Sequence, residues 1–113
     1  MPKQILVVED DAFLAMSLVM DLEDAGYAVV GPYTGVAKAL VGLAAHTVDF
    51  GILDLNLGAE TSEVIATALT QKGIPFVVAT GYTEDQLTGG FAGAKTLGKP
   101  YLTEDLIALL PAN

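Results

Sequence analysis

The sequence predicts an open, doubly wound α/β domain: five parallel strands in the order 2-1-3-4-5, with helices on both faces of the sheet. Three observations lead there. Short continuous apolar runs rich in β-branched residues recur along the chain, as Ile5-Leu6-Val7-Val8, Ala28-Val29-Val30, Phe50-Gly51-Ile52-Leu53 and Phe76-Val77-Val78-Ala79; runs of this kind suit strands covered on both faces. Segments with apolar residues at helical spacing stand between them, so the chain reads as successive strand–helix units with right-handed crossovers. Finally, 113 residues suffice for one domain, residues 1–113, since domains commonly run to ~100–150 residues.

The first strand ends at the acids Asp10 and Asp11. From Ala12, Leu14, Leu18 and Leu22 recur at i, i+4 and i+8, Phe13 and Val19 widen the stripe, and Gly26 stands where a helix is closed. The second strand is predicted to end in a turn at Gly31-Pro32, followed by a helix from Thr34 with Val36, Leu40 and Ala44 on its buried face. After the third strand a loop runs from Asp54 to Thr61. The third helix buries Ile65 and Leu69 and closes at Gly73, and Pro75 leads into the fourth strand. Thr83-Glu84-Asp85-Gln86 has capping-box spacing, but Gly89, Gly90 and Gly93 follow, each costing ~1 kcal/mol inside a helix. One or two turns and then a loop are expected. Lys95-Thr96-Leu97-Gly98 is a short last strand; Thr103 is expected to cap a final helix that buries Leu106, Ile107 and Leu110 and stops at Pro111.

Composition narrows the function classes. With 52% hydrophobic and 17% charged residues the chain is a folded domain rather than a disordered one, and no apolar run approaches the ~20 residues of a membrane span. Five lysines, no arginine and fourteen acids give a formal charge of −9, which repels nucleic acid and anionic lipid. Neither partner is expected. Without cysteine, disulfides, thiolate metal sites and cysteine catalysis are excluded, and with His46 as the single histidine a His-based metal cluster or catalytic dyad is hard to build. His46, near the end of the second helix, is read as a surface residue. The apolar stretch before Glu9 is too short for a signal peptide, so a cytoplasmic location is expected.

In a doubly wound sheet, ligands bind beyond the carboxyl ends of the strands, near the switch point. The residues there are Glu9, Asp10 and Asp11 after the first strand, Asp54 after the third, Thr80 after the fourth and Lys99-Pro100 after the fifth. Taken singly each has a structural explanation: Asp10 or Asp11 as a helix N-cap, Asp54 as a turn former, Thr80 as a strand residue, Lys99 as a surface charge. Taken together they converge on one rim. Carboxylates so placed repel one another unless a cation sits among them, and an oxygen-only donor set suits a hard ion such as Mg²⁺.

The motifs VVEDD at 7–11, LDLN at 53–56, ATG at 79–81 and KP at 99–100 make the chain resemble a response-regulator receiver domain of two-component signalling, a flavodoxin-like fold, over nearly its whole length. The resemblance implies a signalling domain rather than a turnover enzyme, taking a phosphoryl group from a sensor histidine kinase or histidine phosphotransferase with bound Mg²⁺ and acting on a downstream protein target. It implies Asp54 as phosphoacceptor, Asp10 as a direct Mg²⁺ ligand, Glu9 acting mainly through metal-bound water, and the Asn56 carbonyl as a further ligand. It also implies Thr80 and Lys99 on the phosphoryl oxygens and a cis Lys99-Pro100 bond. Elementary chemistry agrees: a carboxylate can be the nucleophile toward phosphorus once metal and ammonium offset the charge, and phosphoryl transfer asks the protein mainly for positioning and charge stabilisation.

Departures from the pattern shape the rest of the reading. Thr96 stands where most receivers carry an aromatic switch residue, Gly58 where a proline is usual, and the stretch between Thr80 and Lys99 is short and glycine-rich. Residues 76–82 are similar to the signature of single-domain receivers with a Phe-Ala-Thr-Gly motif, with Val78 in place of that Phe. Without the aromatic, residues 82–95 are the expected responsive element, with Tyr82 as an exposed anchor. The principal alternative is a pseudo-receiver acting as a phosphorylation-independent docking module. A haloacid-dehalogenase-type phosphatase would need its nucleophile after the first strand, and a flavodoxin-like FMN carrier would need a phosphate loop where this chain has three acids. The chain is either a stand-alone regulator or a fragment of a longer one.

Overall fold

The computed structural model describes residues 2–82 and 84–112. In chain order the elements are β1 (Gln4–Val8), α1 (Ala12–Asp24), β2 (Ala28–Tyr33), α2 (Val36–Ala45), β3 (Phe50–Asp54), β4 (Asn56–Leu57), β5 (Glu60–Thr61), α3 (Glu63–Gln71), β6 (Phe76–Thr80), two 3₁₀ turns (Glu84–Gln86 and Gly89–Phe91), β7 (Lys95–Gly98) and α4 (Thr103–Leu109). Five strands form a parallel sheet in the order β2-β1-β3-β6-β7, and β4 and β5 form a separate antiparallel hairpin. With the hairpin set aside, this is the predicted 2-1-3-4-5 order.

Side chains alternate across a sheet with a period of two, and the alternation divides the core into two layers. Leu6, Val8, Leu53 and Val78 pack with Ala39, Leu43, Ile65 and Leu69 of α2 and α3 on one face. Ile5, Val7, Ile52 and Val77 pack with Leu18 and Leu22 of α1, Leu106 of α4 and Leu110 just after it on the other. The central strands are thus covered on both faces, which is why they read as unbroken apolar runs.

Several local expectations need correction. The predicted turn at Gly31-Pro32 lies inside β2: Leu6 pairs with Val30 and Val8 with Tyr33, so β2 carries one extra residue as a bulge. Gly31 absorbs it at φ +114°, where a Cβ would stand 2.8 Å from the Val7 carbonyl oxygen. The Gly31–Pro32 bond is cis, as is Lys99–Pro100. In α1, Phe13 and Leu14 are 88% and 51% exposed; they occupy the first turn beyond the sheet edge, and burial begins at Ala15. In α2 the buried face is Ala39, Gly42 and Leu43 while Ala44 is exposed, because the Tyr33 ring lies over Gly42, where any Cβ would collide with it.

The loop after Asp54 contains the β4–β5 hairpin, turning at Gly58 with φ +69°. Thr103 is the first residue of α4 rather than its cap; its hydroxyl donates to Asp21 Oδ2 at 2.7 Å and ties α4 to α1. The short fourth helix predicted after Tyr82 is the pair of 3₁₀ turns, and the cap expected at Thr83 lies outside the described residues.

Candidate functional site

Parallel register brings the predicted residues to one edge. Val8 pairs with Leu53, Asp54 with Ala79, and Thr80 with Gly98, so the chain leaves β1, β3, β6 and β7 within about one residue of the same level. The Glu9 amide donates to the Tyr33 carbonyl at 2.9 Å, extending the β1 path by one step and burying the Glu9 side chain beneath the rim. The next two acids divide the work. Asp11 N-caps α1, its Oδ1 accepting from the Phe13 and Leu14 amides at 2.9 and 3.1 Å. Asp10 turns to the rim, where carboxylate oxygens of Glu9, Asp10 and Asp54 lie within 4.8 Å of one another.

Lys99 enters from β7. Its Nζ stands 2.9 Å from Asp54 Oδ1 and 3.3 Å from Glu9 Oε1. The ammonium thus pairs with two of the three carboxylates. Burial pushes the Glu9 carboxyl up to about 7, reinforced by its hydrogen bond to Asp54 and by that neighbour's charge; the Asp11 amide and Lys99 pull the other way. For Lys99, burial works to lower the pKa, but the hydrogen bond to Asp54 and the charges of Glu9 and Asp54 outweigh it and hold the ammonium above its ordinary range. Burial, then the Glu9 charge, raises the nearby Tyr101 phenol. A donor set of carboxylate oxygens with excess negative charge fits a hard divalent cation, and among the described residues Glu9, Asp10 and Asp54 could hold one.

Four of the six predicted site residues, Glu9, Asp10, Asp54 and Lys99, are thereby brought together. Thr80 stands one step beyond the Asp54–Ala79 pair, buried, with its hydroxyl accepting from the Tyr82 amide at 3.2 Å. Asn56 is exposed at the start of the hairpin, paired across it with Thr61. His46 is exposed at the end of α2, which leads to the start of β3 and hence to the opposite edge.

Two residues that support the site escaped the sequence reading. Ser62, fully buried, donates its hydroxyl to the Asp54 carbonyl oxygen at 2.6 Å. Glu60 Oε1 accepts from the Val36 amide at 3.4 Å and joins the hairpin to the start of α2. A serine just before a helix reads as a cap, and nothing in its spacing shows that it bonds backward.

No family model matches the chain. It is 31% identical over 110 residues to the transcriptional regulatory protein PdtaR of Mycobacterium tuberculosis, covering 94% of this chain and 54% of that protein; the chain spans about half the length of the curated relatives it matches. Among solved structures, SdrG from Sphingomonas melonis Fr1 is 38% identical with a TM-score of 0.78, over 95% of this chain and 92% of that one. A response regulator protein from Burkholderia pseudomallei, solved with a phosphorylated aspartic acid, calcium ion and citrate, is 29% identical with a TM-score of 0.84, over 98% of this chain and 68% of that one. With the sheet order, the acidic edge and relatives that agree along nearly the whole of this sequence, the chain belongs to the response-regulator receiver family.

Proposed function

We propose that the chain is a phosphoryl-accepting receiver in which Asp54 takes a phosphoryl group from a phosphohistidine of a sensor kinase or histidine phosphotransferase, with Mg²⁺ held by Glu9, Asp10, Asp54 and the Asn56 carbonyl. The observation that carries this reading is Lys99 bridging Asp54 and Glu9 beside Asp10. An Asp54 carboxylate oxygen attacks phosphorus, the P–N bond breaks, and the histidine leaves with its electron pair. Bound Mg²⁺ supplies charge neutralisation for the incoming phosphoryl oxygens. Lys99 keeps its proton and follows the transferred charge. Glu9, poised near 7, exchanges a proton for cation binding near neutral pH.

Thr80 connects the reaction to its readout. A hydroxyl can accept and donate at once, so Thr80 can hold the Tyr82 amide while donating to a phosphoryl oxygen. With Thr96 in place of a large aromatic, the response falls to residues 82–95 and the adjoining α4 face, where 54%-exposed Tyr82 is the anchor for a downstream protein. The chain carries a formal charge of −9, so the partner proposed is a protein rather than nucleic acid or an anionic membrane; no helix among the described residues is long and apolar enough to cross a membrane. The role proposed is cytoplasmic signalling rather than turnover of a small-molecule substrate.

The test is chemical. With acetyl phosphate and Mg²⁺, intact-mass spectrometry should show one acid-stable, base-labile phosphoryl adduct on the wild type and none on Asp54→Asn. A full-yield adduct on Asp54→Asn moves the nucleophile elsewhere, and no adduct from any donor favours the docking-module alternative.

A further inference from the structure

The loop between Asp54 and α3 is held from within by a side chain that the chemistry does not touch. Ser62 is completely buried. It occupies the N-cap position of α3, yet its backbone is not extended there (φ −84°, ψ 13°) and its hydroxyl makes no bond to the helix. That hydroxyl donates instead to the Asp54 carbonyl oxygen at 2.6 Å, with a longer approach of 3.4 Å to the Leu55 carbonyl, while the Ser62 amide donates to the Leu55 carbonyl at 3.0 Å. Thr61 Oγ1 takes over part of the capping, accepting from the Glu63 amide at 3.4 Å.

β1 pairs with β3 only as far as Leu53, so the Asp54 carbonyl lies past the last β1–β3 pair, and Ser62 supplies the donor there. A hydrogen bond this short from a fully buried hydroxyl restrains both peptide orientation and, through the shared Cα, the direction of the carboxylate. The same clamp closes the base of the hairpin that carries Asn56, because Ser62 directly follows Thr61, the partner of Asn56.

We propose that Ser62 is a positioning residue for phosphoryl transfer to Asp54, fixing the Asp54–Leu55 peptide so that the carboxylate meets Lys99 and the cation in line with an incoming phosphorus. The inference rests on Asp54 being the phosphoacceptor. A displacement of about 1 Å at a reacting atom can cost up to about a hundredfold in rate, so loss of one restraining bond is expected to slow transfer about tenfold.

The experiment compares the initial rate of adduct formation from acetyl phosphate at saturating Mg²⁺ in the wild type, Ser62→Ala, Ser62→Cys and Ser62→Thr, with thermal unfolding of each. Ser62→Cys nearly preserves volume and stands in if Ser62→Ala does not fold, since a thiol is a weak donor. Tyr27→Phe, which loses the 2.8 Å hydrogen bond to the Pro111 carbonyl oxygen at the opposite edge of the sheet, reports on stability loss alone. The expected result is about tenfold slower transfer in Ser62→Ala and Ser62→Cys, recovery to within about threefold in Ser62→Thr, and an unchanged rate in Tyr27→Phe. Wild-type rates in both Ser62→Ala and Ser62→Cys would overturn the positioning role while leaving Asp54 as acceptor. A wild-type protein that takes no phosphoryl group would remove the acceptor reading and this role with it.

Discussion

Two segments leave neighbouring strands at the same edge of the sheet and are held in opposite ways. Residues 54–62 are fastened by polar bonds to the site itself: Ser62 on the Asp54 carbonyl, the β4–β5 pairing, and Glu60 on the start of α2. Residues 84–94 are fastened by apolar anchors, with Leu87, Phe91 and Ala94 sunk into the core layer on the α2–α3 face. Gly90 lies so close against α3 that a Cβ would stand 2.5 Å from Thr67 Oγ1 and 3.0 Å from the Glu63 carbonyl oxygen. The first arrangement fixes directions at Asp54. The second fixes depth but leaves backbone groups of two short 3₁₀ turns with weaker geometry. On the function proposed, a site that needs accuracy and a surface that needs to change are thus built side by side from different bonds.

The sharpest way to break this comparison is to pull the apolar anchor. Phe91→Ala should destabilise the fold by about 3–5 kcal/mol, read by denaturant unfolding; a cost under about 1 kcal/mol would mean that the 3₁₀ segment is not anchored in the core. Gly90→Ala is expected to cost about 1–3 kcal/mol through overpacking against α3, whereas Gly58→Ala, open to solvent but at φ +69°, should cost about 1 kcal/mol from backbone conformation alone. Equal costs at both positions would dissolve the distinction between a packed and an open glycine.

On the polar side, Asp10→Asn should weaken Mg²⁺ binding by at least about tenfold by calorimetry, and an unchanged affinity would reject the carboxylate cluster as its site. The same side carries a pH signature. Because Glu9 titrates at about 7 in the fold against an ordinary 4.5, the native state keeps a proton that the unfolded chain has released. Metal-free stability should therefore fall as pH rises from about 4.5 to about 7 and level off beyond. Saturating Mg²⁺ should flatten that decline, since the cation takes the place of the proton. A metal-free stability that rises through this window would contradict the assignment. The smallest effect is expected at Glu60→Gln, where a long, exposed hydrogen bond to Val36 should be worth no more than about 0.5 kcal/mol.

The same contrast explains what could be read from the sequence. Strand order, the acidic edge and the convergence of Glu9, Asp10, Asp54 and Lys99 were legible because they depend on periodicity and on which residues follow each strand. The glycines at 89, 90 and 93 rightly argued against a full fourth helix. Less legible were features decided by tertiary contact: the bulge at Gly31, the rotation of α2 set by Tyr33 over Gly42, and the exposure of Phe13 and Leu14. Ser62 was invisible for a related reason. Its position suggests a helix cap, and only the return of the chain past Asp54 gives its hydroxyl a nearer acceptor.

The measurement that bears most directly on the central claim, that phosphorylation at a fixed Asp54 loop is read by the neighbouring segment, is amide hydrogen exchange with and without beryllofluoride and Mg²⁺. Protection in residues 82–95 is expected to change by about tenfold or more while residues 55–62 change by much less, since locally weaker structure is what a ligand can shift. If residues 82–95 exchange identically in both states, the readout proposed for them is wrong and the output surface lies elsewhere, with the exposed apolar turn of α1 at Phe13 and Leu14 the next face to test.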